Sequence, residues 1–424
     1  MNVVVLNTGS ELLLGHVLNT HLTYIAREIF PLGLRVQRQL TVPDGPAIGE
    51  TLAAISGKAD IVFVTGGLGP TTDDITREAA AELFQLPLRQ DPEVAAAITN
   101  RLRTRGFPMS DRILRQAEVP EGATVLPNAN GTAPGLYLAA REGSGATPHL
   151  FLLPGPPREL QPMFQASVLP ILRQIAPPRE GMECRTFRLA CIGESVVEQA
   201  IGPQLLALPG AELGYCARMG EVDVRVIGSK ATLDAAEEII RDAFPLLLFS
   251  KDDEELEEAV VHMMQKRKAT LATAESCTGG YLAHRVTNVP GASAIFLGGF
   301  VVYSNEAKVA ALGVEEKLIA EFGAVSEEVA GAMATGGLRK TNATHALATT
   351  GIAGPDGGSE AKPVGTVFIA LASASGSTTV VRRRFQVERQ AFKHLAAQTA
   401  LQMLREHLLA KQDPIARPRP GFRP

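Results

Sequence analysis

The chain alternates short apolar runs with longer amphipathic stretches, and that rhythm predicts its elements. Val3 to Leu6 is apolar throughout, as a strand buried on both faces is. Thr20 to Phe30 sets Leu22, Ile25, Ala26 and Ile29 on one helical stripe, and Gly33 stops it. Leu34 to Val42 reads as a strand, Ala47 to Ile55 as a helix, and Asp60 to Thr65 and Leu150 to Leu153 as further buried strands. Such alternation predicts a mainly parallel sheet with helices on both faces. Ligands of such sheets bind beyond the carboxyl ends of the strands, where the glycine turns at Gly9 and at Gly66-Gly67 fall.

The texture changes around Pro177-Pro178. From Cys184 to about Phe249 the order is strand, helix, strand, strand, helix, strand, a small α+β unit. Within it Val222-Asp223-Val224-Arg225-Val226 alternates as a half-exposed strand does. Lys251 to Glu255 opens a new helix, with acids at its start and Lys266-Arg267-Lys268 at its end, which suits the helix dipole. That charge run reads as a solvated cap and a joint between domains. A second α/β pattern runs from about Asp253 to Leu409, and the proline- and arginine-rich Asp413 to Pro424 reads as a disordered tail. The expected organisation is an α/β domain over 1–172, a small α+β domain over 173–251, a second α/β domain over 252–412 and a tail over 413–424.

Composition narrows the function classes. A chain of 424 residues is too long for one ordinary core. The net charge of −4 offers no basic field for nucleic acid, and the lack of Trp argues against stacking platforms. No apolar run approaches the roughly 18 residues of a membrane span, and the first residues do not resemble a signal peptide. Neither nucleic acid nor membrane is therefore expected as a partner, and the expected location is cytoplasmic. Cys184, Cys191, Cys216 and Cys277 form no C-x-x-C pair and are expected as reduced thiols. No P-loop and no H-E-x-x-H occurs, so ATP-driven and zinc chemistries lose ground.

The candidate chemistry centres on Thr273-Ala274-Glu275-Ser276-Cys277-Thr278-Gly279-Gly280, where a buried strand from Ala269 to Ala274 gives way to a helix from Tyr281. This geometry would expose the Ser276 hydroxyl at the rim of a sheet and aim backbone N–H groups of Thr278, Gly279 and Gly280 at the same spot, as a nucleophile beside an oxyanion hole requires. Ser276 could equally cap the helix, and Cys277 is a rival nucleophile. Tyr303 and Lys308 flank a polar turn after Gly298-Gly299-Phe300-Val301-Val302. A desolvated lysine can act as a general base, although an isolated Lys is more often an exposed helix residue. Thr349-Thr350-Gly351-Ile352-Ala353-Gly354 would let the backbone approach an anionic ligand, and Arg389 could clamp a phosphate or lie on a helix surface. In the first domain, Gly66, Gly67 and Gly69 precede Asp73 and Asp74. Two carboxylates after an anion-binding glycine turn suggest a divalent cation of the Mg²⁺ type, although either could simply cap a helix.

These runs carry a resemblance. A-E-S-C-T-G-G, G-G-F-V-V-Y-S-N-E-A-K, G-A-V-S-E-E at 323–328, T-G-I-A-G-P-D-G-G and K-P-V-G-T, in this order, resemble the C-terminal domain of the CinA family. The resemblance implies a nicotinamide mononucleotide (NMN) deamidase of the PncC type, releasing nicotinic acid mononucleotide and ammonia without a cofactor. It implies Ser276 as nucleophile, Lys308 as base, Tyr303 as assisting hydroxyl, and Thr350 and Arg389 as substrate contacts. The family's Gly-Asp-Arg lead into that arginine is here Val387-Glu388-Arg389.

G-S-E-L-L-L-G at 9–15, G-G-L-G-P-T-T-D-D, N-G-T-A-P-G at 130–135 and P-G-P-P-R-E at 154–159 resemble the MoaB/MogA-like fold in its CinA version. That implies a metal-dependent ADP-ribose pyrophosphatase in the first domain and a homodimer. His21 stands where the family commonly has an Asn, and it reads as an ordinary surface histidine. Two rival readings are a molybdopterin-binding protein and a non-enzymatic competence or recombination adaptor.

Overall fold

The computed structural model describes residues 1–410 except 105, 107, 109, 142–146 and 177–182. The expected tail and the Pro177-Pro178 joint lie outside the described residues. Those up to 176 form one compact unit and those from 183 a second.

In the first unit, strands Val36–Val42, Val3–Thr8, Ile61–Thr65, His149–Leu153, Gly135–Leu138 and Thr124–Leu126 lie side by side in that order. The first four run parallel, and the last two join antiparallel, so the sheet is mixed. The apolar run at Val3 is explained by cover on both faces. Val3, Val5 and Phe63 point into one core, and Val4, Leu6, Val62 and Val64 into another. Val3–Thr8 has its sequence neighbours on opposite sides, so the winding reverses there and opens a crevice beyond its carboxyl end. Helix Leu169–Ile175 crosses the expected boundary at 172–173. Leu172 and Ala176 are in the same core as Phe63, which keeps this helix with the first unit.

The second unit contains both the small α+β part and the last α/β part. The small part runs in the expected order, with the antiparallel sheet Glu212–Arg218, Glu221–Gly228, Glu183–Ala190, Leu248–Ser250. Val222, Val224 and Val226 face its core with the helices Glu194–Leu206 and Lys230–Ala243. The new helix begins at Leu256, where Glu255 and Glu258 form a capping box.

The last sheet is ordered Phe296–Val301, Leu271–Glu275, His345–Gly351, Thr366–Ser373, Thr378–Arg384, the first three strands parallel and the rest antiparallel. Helix Glu327–Thr341 covers one face, and helices Leu256–Arg267 and Arg389–Ala410 cover the other. Helix Arg389–Ala410 also holds the small part. Gln398 donates to the Glu221 carboxylate at 2.6 Å, and Gln402 and Arg405 donate to the Leu246 carbonyl at 2.8 and 2.6 Å.

Candidate active site

The chain leaves the strand Leu271–Glu275 at Ser276, whose N–H donates to the Thr349 carbonyl at 2.9 Å and so extends the sheet by one residue. Ser276 is 8% exposed, and its Oγ lies 3.2 Å from Nζ of Lys308. Lys308 stands on helix Asn305–Leu312, which Ser304 caps by accepting from the Ala307 N–H. Its side chain is only 1% exposed. Nζ also meets the carbonyls of Val302, Tyr303 and Ser304 at 3.1, 3.2 and 3.4 Å. Burial pushes the Lys308 amine below the ordinary lysine value. A neutral amine donates two hydrogens and keeps one lone pair. With carbonyls taking the hydrogens, the lone pair is left for the Ser276 hydroxyl. Lys308 is thus not an exposed helix residue, and Ser276 caps no helix: the cap position of Tyr281–Thr287 is Gly280.

Cys277 lines the same cavity as Ser276 and Lys308 but also packs into the core. It is buried in the apolar core with Leu282 and Phe392, and desolvation pushes its thiol up to about 12. A thiol so placed is a poor nucleophile.

The helix starts at Tyr281, as expected. Gly279 and Gly280 adopt φ of 62° and 91°, so the helix begins four residues beyond Cys277. The Gly279 N–H is spent on the Ser276 carbonyl at 3.1 Å. The N–H groups of Leu282 and Ala283 are spent on the Glu275 carboxylate at 3.0 and 2.8 Å. The Thr278 hydroxyl is buried against Thr349 at 2.7 Å. Thr278, Gly279 and Gly280 therefore shape the turn and lie outside the lining of the cavity described next. Glu275 escaped the sequence reading, because a Glu ending an apolar strand looks like any boundary residue.

Beside Ser276 and Lys308 opens a cavity of about 190 Å³, lined also by Cys277, Tyr303, Asn305, Val325, Thr350, Gly351 and Arg389. The Thr350 hydroxyl donates to the Ala324 carbonyl at 2.7 Å, which fixes its orientation on the wall. Arg389 donates from Nη1 to the Gly354 carbonyl at 3.0 Å and from Nη2 to the Tyr303 hydroxyl at 2.8 Å. Tyr303 is 62% exposed, and it meets Lys308 only through its carbonyl. Its phenol stands at the rim with Arg389, so no proton relay runs through it. Asn305 was the second residue missed, hidden in the polar turn before Lys308.

In the first unit, Gly66 and Gly67 follow strand Ile61–Thr65 with φ of 99° and 67°. A side chain on Gly66 would strike Thr8, one on Gly67 would strike Thr76, and one on Gly69 would strike Asp74. All three glycines thus permit close approach of the chain to itself at the crevice. Neither Asp73 nor Asp74 caps the next helix, whose cap position is Ile75. Asp74 accepts from the Thr71 N–H at 3.0 Å, closing a turn. Asp73 is exposed, and a hydrogen bond from the Thr71 side chain holds its carboxyl below the usual range. Among the described residues no cluster of three or more His, Cys, Asp or Glu side chains is placed to hold a metal. A pair of carboxylates is nevertheless a donor set that Mg²⁺ accepts, since it completes its shell with water and substrate phosphate. His21 is half-buried and its Nε2 has no hydrogen-bond partner among the described residues, so it is not an ordinary surface histidine. No helix among the described residues is long and apolar enough to cross a membrane.

Known proteins match along nearly the whole length. A model of the CinA C-terminal domain matches residues 253–408, one of a probable molybdopterin binding domain matches 4–174, and one of the damage-inducible protein CinA KH domain matches 184–243. A CinA-like protein of Akkermansia muciniphila is 43% identical over 401 residues, with 95% of this chain and 96% of that protein covered. A putative competence-damage inducible protein of Moorella thermoacetica is 42% identical over 412 residues, with 95% and 98% covered. The crystal structure of competence/damage inducible protein CihA from Agrobacterium tumefaciens is 41% identical, covering 37% of this chain and 96% of that one, with a TM-score of 0.35. A MoaB-like first domain, a small KH-like middle domain and a CinA C-terminal domain follow one another along this chain, which belongs to the CinA family.

Proposed function

We propose that the C-terminal domain hydrolyses the carboxamide of NMN by acyl transfer through Ser276. The observation that carries this reading is the buried amine of Lys308, 3.2 Å from the Ser276 hydroxyl and held by carbonyls on its other sides. The neutral amine takes the hydroxyl proton as Oγ attacks the amide carbon. Main-chain N–H groups at the cavity wall would receive the oxyanion. The Lys308 ammonium then gives its proton to the departing nitrogen, and ammonia leaves an ester on Ser276. Lys308 next takes a proton from water, hydroxide attacks the ester, and Ser276 is restored with nicotinic acid mononucleotide as product. Arg389 at the rim, braced by Tyr303 and Gly354, suits the substrate phosphate.

The test is ammonia release from NMN by wild type and variants. Cys277→Ala is expected to keep kcat within about threefold of wild type, because the thiol is in the core and protonated. Loss of stability by removing one buried sulfur is expected to be about 1 kcal/mol. Abolished turnover in a folded Cys277→Ala protein would transfer the nucleophile to the thiol.

A second reading concerns the first domain. The crevice at the winding reversal, with Asp73 and Asp74 beside it, favours a metal-dependent pyrophosphatase acting on ADP-ribose, yielding AMP and ribose 5-phosphate. Asp73 and Asp74 would hold the divalent ion, which supplies charge neutralisation at the phosphates. AMP release is expected to require added Mg²⁺ and to fall by about 10²-fold in Asp73→Asn. A pterin that co-purifies, with no AMP formed, would favour a molybdopterin binder instead. The middle domain contains no G-x-x-G, the turn with which KH modules clamp a nucleic-acid backbone. That supports small molecules over nucleic acid as partners.

A further inference from the structure

We propose that Glu275 is the positioning residue for the Ser276–Lys308 pair. The inference rests on the acyl-transfer reading for the identity of the nucleophile and on nothing else in it. Glu275 is the last residue of its strand and 1% exposed. Its oxygens divide between two main-chain donors, Leu282 N–H on Oε2 at 3.0 Å and Ala283 N–H on Oε1 at 2.8 Å. Burying a carboxylate is costly unless such bonds are made, and bonds to the positive end of a helix are the favourable kind.

The consequence is geometric. Ser276 to Gly280 join the strand to a helix of seven residues, too short to hold its place alone. Two of those joining residues are glycines at positive φ, so the turn has little stiffness of its own. The Glu275 carboxylate closes it like a brace, strand on one side and helix on the other. The main chain of the same residue serves the base. The Glu275 carbonyl accepts from Val302 N–H at 2.8 Å, and the Val302 carbonyl in turn meets Lys308 Nζ at 3.1 Å. One residue thus sets the nucleophile through its side chain and the lysine cradle through its backbone. Substitution of the side chain leaves the backbone contact intact and isolates the first of these.

The test uses the full chain. Glu275→Gln keeps the shape but turns one acceptor into an NH₂ group facing an N–H. The rate at which a fluorophosphonate labels Ser276, read by mass spectrometry per folded molecule, is expected to drop by about tenfold or more, since small misplacements of reacting atoms carry large rate costs. For ammonia release from NMN, kcat is expected to drop in the same ratio while KM stays within about threefold. A lower melting temperature with unchanged labelling per folded molecule would make Glu275 merely structural and overturn the proposal, as would a raised KM with kcat intact. Should Glu275→Gln not fold, Glu275→Asp, which keeps the charge but lacks the reach for both donors, is expected to show the same slowing. Wild type that labels at Ser276 yet releases no ammonia from NMN would overturn the substrate assignment, and the labelling rates would still decide the role of Glu275.

Discussion

Ser276→Ala is expected to lower ammonia release from NMN by about 10⁴-fold or more while leaving the protein folded. The hydroxyl is the atom that forms the ester, so its loss removes the reaction path and not an accessory contact. The structural cost is small by comparison. Ser276 contributes one hydrogen bond to Lys308, and its backbone link to Thr349 survives the substitution. A lost hydrogen bond of this kind lowers stability by about 0.5–1.5 kcal/mol. Turnover and denaturant midpoint measured on the same preparation separate the two effects. A folded Ser276→Ala protein retaining more than about a tenth of wild-type turnover would mean that the amide is not opened by this hydroxyl.

Lys308→Met is expected to cost about as much as the serine variant, because residues acting as one unit lose their effect together. The pH dependence identifies the lysine. Its amine must be neutral to take the proton, so kcat/KM rises as pH passes upward through the Lys308 pKa, which burial has moved down from 10.5. Lys308→Arg remains cationic at every usable pH, so alkali is expected to restore nothing. Stability follows with a definite sign. Between the lowered folded value and 10.5 the unfolded chain binds more protons at this site than the folded one, so wild-type stability gains with rising pH across that window. Below the folded value the full penalty for the buried ammonium applies. Denaturant midpoints of wild type and Lys308→Met are therefore expected to diverge in favour of wild type as pH rises through the window. A difference flat in pH would show that the Lys308 amine is not perturbed.

Much of the architecture was legible because it is written locally. Apolar runs such as Val3–Leu6 and the alternation at Val222–Val226 depend only on which faces are covered, and strands stand there. Strand direction is not written that way. The strands Thr366–Ser373 and Thr378–Arg384 run antiparallel to their neighbours, as does Gly135–Leu138, and an apolar run carries no sign of orientation. At the site, Ser276, Tyr303, Lys308, Thr350, Gly351 and Arg389 line one cavity. Their convergence follows from strand order, since the turns after Leu271–Glu275, Phe296–Val301 and His345–Gly351 leave neighbouring strands at the same end. What could not be read was where side chains turn. That Lys308 curls back to the carbonyls of the turn before it, that Tyr303 leans out to Arg389, and that the Glu275 carboxylate takes the Leu282 and Ala283 N–H groups all depend on how the elements pack.

Helix Arg389–Ala410 begins with the arginine at the cavity rim and continues beneath the KH-like domain, to which Gln398, Gln402 and Arg405 bind. Swinging that domain away would break these hydrogen bonds across the seam, each worth about 0.5–1.5 kcal/mol net. The KH-like module and the amidase should consequently tumble as a single particle, and a gene fragment starting at the CinA C-terminal domain would carry an unmatched polar seam along its longest helix.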